Sequence, residues 1–343
     1  MSDPVRVLLV GFGYASATFH APLIGAVDGM ALAGVVSRDP AKVQTAWPGV
    51  PVYADLAQAL AQNDAELVVI ASPNDTHHPL ACQALAAGRH VVVDKPFTLT
   101  LAEADDLIAR AQGAGRVLSV FHNRRWDSDF LALQRLRDDG RLGRWTHVES
   151  HFDRYRPEVR QRWRESDLPG AGLWYDLGPH LLDQALQLLG TPESIWLDTA
   201  LQRDGARADD WFHAVLAYGP LRVVLHASAL TARVAPRWVV HGTLGSFEKW
   251  GLDTQEDLLK AGQLPHSAGW GHDPRPGTLT RGDGLGSEAW PACQGDYTRY
   301  YASLRDALRG RGEVPVPATE AREVMRWIEL GQRSQREGRR VTA

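Results

Sequence analysis

The chain has 343 residues, 44% hydrophobic content and a formal net charge of −4. That length suits two modest domains rather than one core. So small a charge gives no electrostatic footprint for nucleic acid. Two cysteines, Cys82 and Cys293, exclude a disulfide-dense scaffold and a cysteine-based zinc ribbon, and no apolar run reaches the length of a membrane span. Met1-Ser2-Asp3-Pro4 lacks the charged and apolar regions of a signal peptide, so a cytoplasmic protein is expected. Only four of the 37 basic residues are lysine (Lys42, Lys95, Lys249 and Lys260), so a lysine here invites a reason. Of the 12 tryptophans only Trp47 precedes residue 120, where composition shifts and a domain boundary is expected.

Up to that boundary, short apolar runs alternate with alanine- and leucine-rich segments. The runs at 5–10, 31–36, 67–70, 90–93 and 117–120 are apolar on both faces, as strands covered on both sides must be. The segments at 16–27, 40–46, 56–62, 77–87 and 101–112 read as helices, with Gly88 and Gly113 where C-caps belong. This alternation predicts a doubly wound parallel sheet over residues 1–121.

The first strand runs into Gly11-Phe12-Gly13-Tyr14-Ala15-Ser16, a glycine-rich turn between strand and helix. In that setting Gly11 permits the tight turn and Gly13 lets the backbone approach a pyrophosphate resting on the helix N-terminus, as in a Rossmann domain. Ser16 stands where the motif usually closes with Gly or Ala. The second strand ends in Val36-Ser37-Arg38-Asp39. Ser37 and Arg38 suit a 2′-phosphate and favour NADP over NAD; Ser37 also fits as a helix cap, and Asp39 pulls toward NAD. The strand His90-Val91-Val92-Val93 then ends in Asp94-Lys95-Pro96. Lys95 lies where an open α/β sheet places its ligand crevice, with Pro96 fixing the backbone through a trans or a cis bond. The alternative is a strand-end lysine reaching solvent.

Beyond residue 121 the rhythm changes. A helix at about 127–139 is followed by an exposed-faced strand at 145–155 and a helix at 174–189 closed by Gly190. Strand-like runs at 194–201, 211–218, 222–229, 237–242 and 246–250 follow, joined by short turns. Residues 122–318 are therefore expected to form an α+β domain with a large, open, mostly antiparallel sheet. Residues 262–292 read as a long loop or hairpin excursion, and helices at about 297–308 and 319–335 close the chain. An open face rich in Trp, Val and Leu would be an apolar patch through which copies of the chain associate.

On the helix at 174–189, Asp176 and His180 stand four residues apart, with Asp183 close to the same face. A histidine beside a carboxylate suits proton transfer near neutral pH. An ordinary core histidine and half of a metal site are the alternatives; no second His/carboxylate cluster of matching quality follows, so no metal is expected. Asp183 reads as structural, holding a loop. Asn123, Arg125 and Trp126, after the strand at 117–120, are placed to reach the crevice, and Tyr155, Arg156, Trp163 and Arg164 are candidates to line a polyol pocket, with packing or a surface ion pair as the alternative for each.

The order of glycine-rich turn, Asp94-Lys95-Pro96 and Gly172-Leu173-Trp174-Tyr175-Asp176-Leu177-Gly178-Pro179-His180 resembles the glucose–fructose oxidoreductase / inositol dehydrogenase / rhizopine-catabolism family over nearly the whole chain. Thr18-Phe19-His20-Ala21-Pro22 and Ser72-Pro73-Asn74-Asp75-Thr76-His77 match it too, while Asp94 stands where the family usually has Glu. Longer strings (Phe121-His122-Asn123-Arg124-Arg125-Trp126, Arg154-Tyr155-Arg156-Pro157 and Arg162-Trp163-Arg164-Glu165) resemble its NADP-dependent scyllo-inositol dehydrogenase branch. The resemblance implies a cofactor site at Gly11, Phe12, Gly13, Tyr14, Ala15, Ser37, Arg38, Ser72, Pro73, Asn74, His77, Asp94, Lys95 and Asn123. It implies catalysis by Lys95, Asp176 and His180, and substrate contacts from these with Asn123, Tyr155 and Trp163. His180 would be the base and Lys95 the donor to the same hydroxyl oxygen, in a cleft between the domains. It further implies a dimer or tetramer, and a final helix that packs back on the first domain.

The expected function is an NADP-dependent dehydrogenase of a cyclic polyol, with scyllo-inositol as the best single substrate. The alternatives are a dehydrogenase or reductase of another aldose, inosose or keto-sugar, a non-catalytic NADP-binding sensor, and a metal-dependent hydrolase using Asp176 and His180. The sensor has no need of Lys95, Asp176 and His180 together, and the hydrolase leaves the glycine turn unexplained.

Overall fold

The computed structural model describes residues 3–233 and 235–343. They fall into two compact units. The first comprises the chain up to Asn123 with Thr254–Trp270 and Asp296–Glu323; the second comprises Arg124–Asp253, Gly271–Gly295 and Val324–Ala343. A division into 1–121 and 122–318 therefore misses two segments that return to the first unit.

The first unit is built on strands β1 (Val5–Val10), β2 (Met30–Val36), β3 (Val52–Tyr53), β4 (Leu67–Ile70), β5 (His90–Val93) and β6 (Leu118–Val120). They form a parallel sheet in the order β3-β2-β1-β4-β5-β6, the doubly wound order with its switch point between β1 and β4. All four residues of β4 are buried, as strands covered on both faces require. The connecting helices are α1 (Ala21–Ala26), α2 (Pro40–Ala46), α3 (Leu56–Gln62), α4 (His77–Ala86) and α5 (Leu101–Gly113). Side chains cap three of them: Asp39 accepts from Lys42 N, Asp55 accepts from Gln58 N, and Thr100 forms a capping box with Glu103. The first turn after the glycine-rich loop, Ser16–His20, is a wide π turn rather than α-helix.

The second unit carries a nine-stranded sheet. Its strands are β7 (Trp145–His151), β8 (Ser194–Ala200), β9 (Trp211–Tyr218), β10 (Leu221–Ser228), β11 (Trp238–Gly242), β12 (Gly245–Lys249), β13 (Gly277–Arg281), β14 (Ser287–Trp290) and β15 (Val341–Thr342). The order is β14-β13-β12-β11-β7-β10-β9-β8-β15, and only the β7–β10 pair is parallel. The stretch expected as a loop at 262–292 contributes the β13–β14 hairpin, anchored by Trp290 Nε1 donating to Ala132 O. On the covered face lie α6 (Ser128–Asp138), α7 (Leu173–Asp176) and α8 (Gly178–Leu189): Trp174 meets Phe212 edge-on, and Trp238 Nε1 donates to Asp129. The helix expected at 174–189 breaks at Leu177, because Pro179 has no N–H for the preceding turn and disfavours helical backbone just before it.

The other face of this sheet is half open. Trp196, Trp211, Val215 and Val239 stand on it beside Glu149 and the histidines His147, His151, His213, His226 and His241. The expectation of a Trp-, Val- and Leu-rich face is thus only half right, because polar residues take alternate outward positions along β7, β9 and β10.

The returning segments complete the first unit with α9 (Gln255–Lys260) and α10 (Thr298–Leu308). The hydroxyl of Tyr300 lies 2.8 Å from Ser119 Oγ in β6, and Arg309 clamps Glu66 with both Nη atoms. The last helix, α11 (Ala318–Glu337), is divided. Its opening belongs to the first unit, where Arg322 pairs with Asp105. From Val324 onward it belongs to the second, where Trp174 Nε1 donates to Ile328 O and Leu197 N donates to Ser334 Oγ. The final helix therefore rests on the first unit only at its start; the absence of a side chain at Gly331 admits Trp174 and Ile195 against the rest. No helix among the described residues is long and apolar enough to cross a membrane.

Candidate active site

At the end of β1, Gly11 has φ +88°, and a Cβ there would lie 2.9 Å from Ala71 O. Glycine is required on both counts. Gly13 has open space on the side where a Cβ would project. The turn then feeds the Ser16–His20 helix start, with Ala17 N donating to Gly13 O. A backbone left bare before a helix N-terminus fits a dinucleotide pyrophosphate. Phe12 is buried, while Tyr14 is exposed and stands edge-on to Phe19.

Beyond β2, Ser37 Oγ accepts from Asp39 N, and the cap of α2 is Asp39 rather than Ser37. Sequence reasoning missed Lys42. Its Nζ donates to Phe12 O at 3.1 Å and lies 5.9 Å from the centre of the Phe12 ring, which sets a cation at the glycine turn. The scarcity of lysine was the available signal.

The crevice loops after β4 and β5 are tied together by His77. This buried ring presents Nδ1 to Pro96 O at 2.9 Å and Nε2 to Ser72 O at 3.1 Å. Burial pushes its pKa down, so at neutral pH one nitrogen carries a proton and donates to one of the carbonyls. With both nitrogens turned to backbone, His77 braces the two loops. Asn74 is buried at the start of a 3₁₀ turn over Asn74–Thr76, next to Pro73, and Ser72 Oγ lies 2.5 Å from Thr76 Oγ1.

Asp94 is buried beneath the loop after β5, and its Oδ1 accepts from Lys95 N at 2.9 Å. Burial alone would raise its pKa. His20, whose Nε2 lies 3.7 Å away, together with Lys95 and His77 outweighs burial and holds the carboxyl at about 2. The other ring nitrogen of His20 lies 2.6 Å from the Tyr301 hydroxyl. Asp94 is thus an anion at neutral pH, and it fixes the loop carrying Lys95. Lys95 itself is half-buried, and the Lys95–Pro96 peptide is cis. Asn123 is buried at the start of the turn that follows β6.

In the second unit, Gly172 has φ +91°, and a Cβ there would fall 2.0 Å from Asp209 Oδ1. That space lets Asp209 accept from Trp174 N at 2.7 Å and cap α7. Burial pushes the Asp209 carboxyl up to about 6. Asp176 ends α7, and the buried His180 lies in the first turn of α8, so the break at Leu177 separates residues expected on one continuous helix. Asp183 is clamped by Arg125 through two hydrogen bonds of 2.9 and 2.6 Å.

Asp176 also lines a recess with Arg154, Arg156, Arg162, Arg164 and Arg203. Arg164 lies 3.5 Å from Asp176 Oδ1 and over the face of Trp163. Glu165 pairs with Arg162 and Arg203, while burial together with Arg160 and Arg162 pushes the Arg156 pKa down. Tyr155, expected to line a pocket, is 60% exposed. Arg156 and Arg164 were expected to line a pocket; Arg154, Arg162 and Arg203 were not, because the five come from three separate stretches in an arginine-rich chain.

The profile of the NAD-binding Rossmann domain of the GFO/IDH/MocA oxidoreductases matches residues 5–122, and that of their C-terminal α/β domain matches 136–343. The chain is 54% identical to YdgJ of Escherichia coli, an uncharacterized oxidoreductase, over 96% of each chain. It is 36% identical to IolW of Bacillus subtilis, a scyllo-inositol 2-dehydrogenase (NADP(+)), over 99% of this chain and 96% of that one. A solved oxidoreductase structure from Yersinia pestis superimposes with a TM-score of 0.95 at 53% identity, covering 100% of this chain and 98% of the other.

Proposed function

This chain belongs to the GFO/IDH/MocA oxidoreductase family, and from that premise we propose that it is an NADP-preferring dehydrogenase of a cyclic polyol or sugar, with scyllo-inositol and scyllo-inosose as the first pair to try. The observation that carries the reading is the support under Lys95: a buried carboxylate held ionised accepts from the Lys95 N–H and keeps the loop that carries this side chain in place. Bound NADP supplies the hydride acceptor. His180 takes the proton of the hydroxyl being oxidised, and in the reverse direction returns it. Lys95 donates a hydrogen bond to the same oxygen and stabilises its developing negative charge. Asp176, held by Arg164, orients a neighbouring hydroxyl.

The test follows nicotinamide absorbance with NADP or NAD against inositol isomers and common sugars. We expect turnover on at least one polyol or sugar, and a loss of about 10²–10⁴-fold in kcat for His180→Ala or Lys95→Ala. NADP binding with no turnover on any of them would instead support the sensor. A second reading, a substrate that carries a carboxylate or phosphate, is favoured by the arginines beside Asp176. Sugar acids and sugar phosphates belong in the same screen, and preference for them over neutral polyols decides for it. The reading also makes the half-open sheet face the surface through which copies associate; sedimentation as a single-copy species would refute that part.

A further inference from the structure

We propose that the half-open face of the nine-stranded sheet carries a divalent transition-metal site of the zinc type, built from His151, Asp153 and His226 and separate from the hydride chemistry. The strand register assembles it from distant sequence. The parallel β7–β10 pairing sets His226 beside His151, and the antiparallel β9–β10 pairing sets it beside His213. The rings of His151 and His226 are 5.3 Å apart, and Asp153 follows β7 on the same side.

The donor atoms converge without bonding one another. His151 Nδ1 lies 3.6 Å from Asp153 Oδ2, and His226 Nε2 lies 3.6 Å from Asp153 Oδ1. One ligand atom from each residue lies within 4.8 Å of the others. These separations are too long for hydrogen bonds. They are close to the roughly 3.3 Å between neighbouring ligands around a tetrahedral ion with metal–ligand bonds of about 2.0–2.1 Å. The Asp153 side chain is only 3% exposed, yet its Oδ1 has no hydrogen-bond partner, and neither has the buried His151 Nδ1. A buried carboxylate oxygen and a buried ring nitrogen in one cluster, each without a hydrogen-bond partner, are costly, and a shared cation satisfies both.

The surrounding groups favour the same assignment. Glu149 lies 2.9 Å from His151 Nε2 and can hold a proton there, so that in the metal-bound form the Nδ1 lone pair turns to the ion. Glu149 also holds His147 at 2.8 Å, so two carboxylates lie close to the site. Two imidazoles and one carboxylate suit zinc or its neighbours better than magnesium or calcium, and leave a fourth position for water. A second cluster, His78, Cys82 and Asp106, makes a weaker site, because its members bond one another and Arg110 already neutralises Asp106.

The chelator-stripped full chain is dialysed to equilibrium against Zn²⁺, and in parallel against Co²⁺ with the visible spectrum recorded. One equivalent per chain is expected, with the intense absorption of tetrahedral Co²⁺ displaced by Zn²⁺. Asp153→Asn and His226→Asn each weaken binding at least a hundredfold. Glu149→Gln weakens it about 10–100-fold, as the loss of an orienting partner does. Cys82→Ser, as a control, leaves it unchanged. Far-ultraviolet circular dichroism and NADP binding establish that each variant is folded, and should one not fold, the remaining two decide. Stoichiometric binding absent from the wild-type chain, equal in the folded variants, or lost with Cys82→Ser overturns the proposal.

Discussion

The two sheets solve opposite problems. The parallel sheet is covered on both faces, so β1 and β4 are nearly continuous apolar runs, and polar chemistry is pushed to the loops at the strand ends. The mixed sheet is covered on one face only, so β9 alternates between buried and half-exposed residues along its length. Polar side chains can then stand on the sheet itself, as the histidines of β7, β9 and β10 do. In the first unit a functional residue is found by looking where a strand ends. In the second it is found by looking across strands.

The largest expected effect tests that difference in covering. Leu9 in β1 is fully buried, and Leu9→Ala should cost about 2–5 kcal/mol through lost burial and a residual cavity. Val215, on the half-open face of β9, is half-exposed, and Val215→Ala should cost under about 1 kcal/mol in the isolated chain. Urea unfolding of both variants measures the pair. Where copies associate through this face, as proposed above, the cost of Val215→Ala should rise with protein concentration; a cost equal to that of Leu9→Ala even in the dilute single chain would overturn the comparison.

Next in size are two buried carboxylates with opposite pH dependence. Asp94 is held at about 2, below its ordinary 3.8, so its contribution is present above about pH 4 and is lost as pH falls toward 2. That contribution is roughly 2 kcal/mol. Asp209 is raised to about 6 from the same ordinary value, so the folded state holds the proton longer. It destabilises the fold by roughly 3 kcal/mol above pH 6 and ceases to do so as pH falls toward 4. Thermal unfolding against pH should therefore show Asp94→Asn losing stability at pH 7. Asp209→Asn should gain it and lose its slope between about pH 4 and 6. An Asp209→Asn variant less stable at pH 7 would mean that its cap of α7 outweighs its burial.

The same contrast explains what the sequence made legible. Both sheets, the glycine turn, and the structural role of Asp183 follow from local pattern, because burial on both faces, turn geometry and a charged residue on a helix each leave a mark within a few residues. The brace made by His77, the support of Asp94 by His20 and the row of imidazoles across β7, β10 and β9 depend on partners far away in sequence. The break at Leu177 had its signal in Pro179, which the helical period of the surrounding residues outweighed. The scarce lysines divide the same way. Lys95 marked itself by ending a buried strand, whereas Lys249 is fully buried against Asp273 and supports only a loop.

The smallest expected effect concerns the edge of the cofactor half. Arg38 is exposed, and Lys42 reaches Phe12 O beside the glycine turn. If a 2′-phosphate is read here, it is read by cations in water, where each is worth little and is screened by salt. Arg38→Ala should lower the ratio of NADP to NAD affinity about tenfold, or roughly 1.4 kcal/mol, at low ionic strength, and less at physiological salt. Lys42→Ala should weaken both cofactors by a few-fold while changing the ratio less, because its ammonium is tied to the turn that every dinucleotide shares. Fluorescence titration of reduced cofactors at two salt concentrations measures both. A ratio that ignores Arg38 and salt but collapses in Lys42→Ala would move the discrimination from the end of β2 to the start of α2.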